Sequence, residues 1–259
     1  MANLSKVLYN NVLRDATTVT YSGTETSGFE KENATDYFDW TLFRTSSGST
    51  SLDFTVGTDT DLDSVSAYVK TVGGTNSITL QYESSVSAFT TLQTYSAPSG
   101  SLTFDTFNSV TVSSGRRIRF SIVSATSIDI RQLWAGEYME FQRGQWATAT
   151  PPTLTQGIKV SNNISVNGSF LGRSIKRTER SGKISLEHLT QDWVRDTWEP
   201  FADHCARSPF VYLWSDNTAY SSEVGYCFAE NIVVPKNAGN SFMSVEMPLR
   251  MLVADSEAP

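Results

Sequence analysis

Apolar and polar residues alternate through the first half of the chain. Leu52/Phe54/Val56, Val65/Ala67/Val69, Ile78/Leu80/Tyr82, Val110/Val112 and Ile118/Phe120/Ile122 each repeat at a period of two. That period puts alternate side chains on one face of an extended chain and predicts half-buried antiparallel strands. Turn-forming residues punctuate them at Gly73-Gly74, Pro98-Ser99-Gly100 and Ser113-Ser114-Gly115, and a last strand is predicted near residues 138–141. No helical period is found before residue 185. Short strands at this spacing build a β-sandwich or jelly roll.

The second half changes rhythm. Residues 158–160, 164–166 and 183–186 read as strands, with Asn167-Gly168 as a hairpin turn. Val194, Trp198, Phe201, Ala202 and Cys205 then form one apolar stripe, predicting an amphipathic helix over 190–206 that Thr190 caps. Pro200 removes a helical hydrogen bond and should kink or restart it. Strands follow at 210–214, 224–228 and 232–234, and a closing run alternates from Met243 to Val253. Pro248, unable to donate to a ladder, marks that run as an edge or a bulge. Residues 144–157 carry no charge and hold a Pro-Pro pair, the composition of a linker. The expected organisation is mainly β: a jelly-roll sandwich over 1–143, the linker, and a β-sandwich or barrel over 158–259 with one flanking α-helix.

Composition sharpens this. About a quarter of the 259 residues are Ser or Thr and only 18% are charged, which excludes a helical bundle and a charged disordered tail. No run approaches the length of a membrane span, and the first dozen residues lack the apolar stretch of a secretory signal, so the expected protein is soluble and made in a cytoplasm, without membrane partners. The net charge of −7 speaks against coating nucleic acid, and it is uneven: residues 1–140 carry −6 and 141–259 carry −1. Arg173, Lys176, Arg177, Arg180 and Lys183 form the one basic cluster.

Candidate chemistry is sparse. His188 and His204 have no partner at a telling spacing, and no nucleophile elbow, zinc helix, P-loop or dinucleotide fingerprint occurs. Asp53, Glu83 and Asp129 are generic carboxylates that a glycosidase could pair. Asp59, Asp61 and Asp63 alternate like the start of a calcium loop but lack its Gly and closing Glu. Cys205 and Cys227 read as buried, reduced thiols. Catalysis, a cofactor and a metal are therefore not expected. The aromatic run Tyr37-Phe38-Asp39-Trp40 is more suggestive, since sugar sites stack a ring on a pyranose beside carboxylates; plugging one end of the sandwich is the other reading.

Asn33, Ala34, Asp36, Trp40, Leu52, Phe54 and Arg119 occupy the places of an Asn-Ala-x-Asp, a following Trp, a Leu-x-Phe strand and a late Arg-rich strand. In these the first half resembles the galactose-binding-like, discoidin-type jelly roll. The resemblance implies that fold and, in many members, sugar binding, here by Asp39, Trp40 and Arg119. Residues 183–202, 209–228 and 241–250 are similar to C-terminal segments of tailed-bacteriophage virion proteins: a Trp-rich helix ending in Pro-Phe, a Pro-Phe strand with an aromatic-Trp pair, and a closing Met-Ser-Val strand. This second resemblance implies a tail-tube-like domain and a non-enzymatic distal-tail or baseplate protein. It would be assembled in the host cytoplasm into a hexameric or trimeric homo-oligomer ring beside other tail proteins. The jelly roll precedes the tube-like segment here, the reverse of the usual distal-tail order. Ring contacts would fall on Arg173, Lys176, Arg177, Arg180 and Pro248, and a host-surface glycan is the other expected partner.

Overall fold

The computed structural model describes residues 4–71, 76–95 and 100–252. The predicted turns at Gly73-Gly74 and Pro98-Ser99, and Val253, lie outside the described residues. In chain order the strands are β1 (Lys6–Leu8), β2 (Thr18–Tyr21), β3 (Phe43–Arg44), β4 (Gly48–Thr55), β5 (Thr60–Thr71), β6 (Asn76–Ser85), β7 (Ala88–Tyr95), β8 (Ser101–Val112), β9 (Arg117–Ser124), β10 (Asp129–Gly136), β11 (Met139–Glu140), β12 (Gln156–Ile164) and β13 (Phe170–Thr190). After the helix come β14 (Phe210–Leu213), β15 (Val224–Ala229), β16 (Lys236–Gly239) and β17 (Phe242–Leu252). The protein is mainly β, as the alternation predicts.

These elements stack in four layers. A five-stranded sheet, β2-β4-β9-β6-β7, faces a four-stranded sheet, β3-β10-β5-β8. Phe54, Leu80, Ile118 and Phe120 meet Ile130 and Leu133 between them, forming the sandwich. The back of the four-stranded sheet then packs Tyr68, Phe104 and Trp134 against Val211, Val224 and Tyr226 of an eight-stranded sheet, β11-β1-β14-β15-β17-β13-β12 with β16 on β17. Trp198, Phe201 and Val194 of the helix cover that sheet's far side. The two middle sheets are therefore covered on both faces, and β10 and β14 are buried along nearly their whole length. Such strands lose the polar alternation that makes a strand visible in sequence. The predicted strands 52–56, 65–69, 78–82, 110–112 and 118–122 all lie in the sandwich; 52–56, 78–82 and 118–122 belong to its five-stranded sheet, whose outer face is solvated, and 65–69 and 110–112 to the four-stranded sheet.

The strand predicted near 138–141 forms, but outside the sandwich. β11 pairs with β1 (Lys6↔Glu140, Val7↔Met139), and β1 pairs with β14. The sandwich is thus inserted between two neighbouring strands of the eight-stranded sheet rather than preceding it from residue 1. Asn11, buried at the crossing, donates to the Leu133 carbonyl (2.9 Å) and accepts from the amides of Leu13 and Ala135. Gly136 is required there, because a Cβ would sit 2.4 Å from the Asn10 carbonyl oxygen. Of the predicted linker, residues 144–155 form a strap across the eight-stranded sheet, while Gln156 and Gly157 already belong to β12: the Trp146 amide donates to the Ser185 carbonyl, the Ser185 amide to Gln145 Oε1, and Pro152 is buried in the strap's 3₁₀ turn.

The helix spans residues 191–205. Thr190 Oγ1 accepts from the Trp193 amide, as the capping position predicts. Pro200 has no N–H for the Asp196 carbonyl, and the helix widens before it into a π stretch, Val194–Trp198, then resumes as α at Glu199. The expected interruption is a restart. Residues 232–234 are not a strand; β16 begins at Lys236. Pro248 corrects another expectation: β17 is flanked by β13 and β15, so it is no edge. Its carbonyl accepts from the Glu230 amide just past the end of β15, and its missing donor falls on that same side, where the ladder has already ended.

The edge lies elsewhere. Among the described residues the first half of β13 pairs only with β12, and the hairpin turns at Gly168 as Asn167-Gly168 predicts. Ile158, Val160, Ile164, Phe170 and Ile175 share one face through the pairs Val160↔Ile175 and Ile164↔Phe170, and all are exposed.

Candidate functional site

The aromatic run 37–40 sits in the loop between the 3₁₀ turn Lys31–Ala34 and β3. Ala34 is buried and Asn33 Nδ2 donates to the Leu42 carbonyl, closing the loop's base. Asp36 accepts from the Phe38 amide (2.9 Å), Thr41 Oγ1 (2.8 Å) and Gln132 Nε2 (3.1 Å). Gln132, buried on β10, also donates to the Phe38 carbonyl and accepts from the Tyr37 amide. Tyr37 has a positive φ of 71°, a conformation that costs a bulky residue about 1–3 kcal/mol. It sends successive rings in opposite directions.

Tyr37 points inward. It stacks on Trp134 (centroids 4.8 Å apart, 15° between planes), lies under the Arg14 guanidinium and accepts at its carbonyl from the Tyr226 hydroxyl. Burial pushes both tyrosine hydroxyls above their ordinary pKa, so they remain neutral anchors. Phe38 and Trp40 point outward, stacked on each other at 4.5 Å and 26°, and are 49% and 72% exposed. Asp39, between them, forms no hydrogen bond or ion pair among the described residues.

This loop forms one wall of a cleft of about 730 Å³ between the sandwich and the eight-stranded sheet, within the range of small-ligand sites. The opposite wall comes from the turn after the helix, where Arg207 and Pro209 lie, and from the ends of β15 and β17, with Phe228 and Arg250. Phe228 and Arg250 are register partners. Asp39 and Trp40 are thus brought into one site with Phe38, Arg207 and Arg250. The three residues added by the structure come partly from the distant second half, where no local motif could mark them.

Arg119 corrects the expectation. It lies on β9, on the outer face of the five-stranded sheet, where it grips Asp53 with two 2.7 Å hydrogen bonds under Phe89. Arg117 grips Glu83 in the same way (3.0 and 3.1 Å) and reaches Asp53 at 3.3 Å. The Arg117 guanidinium lowers the Glu83 pKa to about 2, which removes it as a general acid near neutral pH. Asp129 is held bidentately by Arg44. Each carboxylate suggested for a glycosidase therefore has an arginine partner.

The remaining candidates do not converge. Asp59 accepts from the Ser114 amide, Asp61 from Thr111 Oγ1 and Asp63 from the Tyr138 amide, and among the described residues no three potential metal ligands gather. Cys205 and Cys227 are free and buried, with their thiols pushed far up by that burial, and burial also lowers the His204 pKa. A neutral thiol beside a neutral imidazole is no activated nucleophile. His188 occupies a bulge of β13 at φ 58° beside Trp146 and Phe242. Of the basic cluster, Arg173 bonds Asn162, Arg180 bonds Thr153 and Gln156, and Lys183 pairs with Glu246; the side chains of Lys176 and Arg177 lie outside the described residues.

No protein-family model and no curated protein matches the chain. Solved structures resemble about half of it. A chitosan-binding module of a Paenibacillus sp. IK-5 chitosanase/glucanase is 18% identical over 49% of this chain and 99% of its own, with a TM-score of 0.41. The Clostridium perfringens module CpGH89CBM32-5, solved with GalNAc-β-1,3-galactose, is 16% identical over 49% and 100%, also at 0.41. A Ruminococcus gnavus GH29 fucosidase in complex with fucose is 17% identical over 50% of this chain and only 27% of its own length, again at 0.41. At this identity and score the likeness says nothing of ligands.

Proposed function

We propose that the protein is a glycan-binding protein without catalytic activity, and that its site is the cleft carrying Asp39 and Trp40. The observation that carries this reading is the stacked Phe38–Trp40 pair, exposed at the rim of a ligand-sized cleft by a strained loop. Large rings are ordinarily placed in the core. Here Tyr37 takes that role, leaving two flat faces to solvent, the surface on which a pyranose packs its C–H groups. Asp39 supplies an uncommitted acceptor for sugar hydroxyls. A glycan array followed by titration calorimetry tests the reading: binding that Trp40→Ala weakens at least tenfold supports it, and an array without hits overturns it.

A second, compatible reading is a structural role in a tailed-phage virion, as a ring-forming tail-tip component, which the resemblance of the second half implies. It is favoured by the β12–β13 hairpin, which projects about 30 Å beyond the paired sheet at ~3.3 Å per residue and keeps an apolar face uncovered. Exposed edges of this kind are ordinarily satisfied by a neighbour. Arg173, Lys176, Arg177 and Arg180 stand against one acid, Glu179, on the hairpin, in a chain of net charge −7, so a second copy offers complementary charge. Mass photometry should detect a ring that the double variant Ile164→Ser/Phe170→Ser dissolves; a strictly monomeric wild type overturns this reading.

A further inference from the structure

We infer that the cleft selects acidic saccharides, with Arg207 and Arg250 holding the sugar's anionic group; this rests on the glycan-binding reading above. Three arginines line the cleft, and they differ in what occupies them. Arg14 lies over the Tyr37 ring. Arg207, in the turn after the helix, offsets the partial negative charge of the helix C-terminus. Arg250, on β17, has no such duty. Both Arg207 and Arg250 are exposed, and neither side chain has a hydrogen bond, ion pair or ring contact among the described residues.

Other arginines of the chain are committed. Acidic residues outnumber Lys and Arg by 27 to 20, and Arg44, Arg117 and Arg119 each hold a carboxylate. Arg207 and Arg250 come from elements far apart in sequence and still share one wall, facing the Phe38–Trp40 stack. The cleft's carboxylates do not cancel them: Asp36 is saturated by Phe38, Thr41 and Gln132, and only Asp39 remains open. A guanidinium presents paired N–H groups matched to a planar carboxylate or to a sulfate or phosphate ester. A sugar ring lying on Trp40 would therefore turn its anionic group to the arginines and its hydroxyls to Asp39.

The test uses the full chain and two acid/neutral pairs: trigalacturonate with its methyl-esterified twin, and sialyllactose with lactose. Titration calorimetry should give at least one pair in which the acid binds roughly tenfold tighter or more, the size of a charge-assisted contact. Arg207→Ala/Arg250→Ala should bring the affinity of the acid down to that of its neutral twin, and raised salt should narrow the preference in the wild type. Equal affinities within both pairs, abolished together by Trp40→Ala, would overturn the acidic preference and leave the glycan site standing. A preference unmoved by the arginine variant would also overturn it. No binding of any of the four, together with an array without hits, would remove both.

Discussion

Two regions of this molecule are built from the same parts. On the outer face of the five-stranded sheet, Phe89 lies over Arg119 and Arg117, and Asp53 and Glu83, 5% and 6% exposed, take up their hydrogen bonds. In the cleft, Phe38 and Trp40 stand opposite Arg207 and Arg250, with Asp39 nearby. The first region is closed on itself, since its guanidiniums are matched to carboxylates on adjacent strands. The second is open, because its groups come from separate layers that hold them apart. An aromatic, an arginine and an acid make a structural lattice when register lets them meet, and a ligand site when the fold keeps them from doing so.

Removing a member of the closed lattice should have the largest effect. Asp53→Ala strands two arginines, each about a quarter to a third exposed, and should cost about 2–3 kcal/mol in urea unfolding with no change in glycan affinity. A loss of sugar binding without a loss of stability would exchange the roles of the two regions. Acid titration comes next. Glu83 has its pKa lowered from 4.5 to about 2, so its stabilisation is complete above pH 4.5 and lost as pH falls toward 2. Stability should drop by about 1–3 kcal/mol over that window, and Glu83→Gln should flatten that portion of the pH profile while lowering stability at neutral pH.

In the open region the sign reverses. Trp40→Ala should leave unfolding within about 0.5 kcal/mol of wild type while costing about 1.5–2 kcal/mol of glycan affinity by calorimetry. Smallest of all is the stability change of Arg250→Ala, within about 0.5 kcal/mol by denaturation. A drop of 2 kcal/mol there would mean that Arg250 belongs to a lattice after all.

How much of this was legible in sequence follows from solvation. The strands around Leu52, Ile78 and Ile118 alternate because one face meets water; β5 alternates around Val65 although both its faces are covered, because the buried Ser64 and Ser66 satisfy their hydroxyls on the Gly136 and Thr103 carbonyls. β10 carries Asp-Ile-Arg-Gln-Leu-Trp-Ala-Gly, buried on both sides, and has no such polar beat to read. Asp39 and Trp40 stood out because four neighbouring residues include three rings. Arg207 and Arg250 carried no signal, since what distinguishes them is the absence of a partner, a property of three-dimensional arrangement. Arg119 misled for the complementary reason: it fits the resemblance, and register spends it on Asp53.

The pairing of β1 with β11 gives the architecture a modular character. The polypeptide enters the sandwich beside the strand by which it leaves, so the sandwich is a cassette whose two junctions are adjacent rungs of one ladder. A replacement of different length could be spliced between them without disturbing the order of the larger sheet. The constraint on such an exchange is the apolar surface of Val211, Val224 and Tyr226, which any substitute must cover as Trp134 and Tyr68 do now. Because one wall of the cleft belongs to the cassette and the other to its host, each transplant would carry its own aromatic rim to the same pair of arginines.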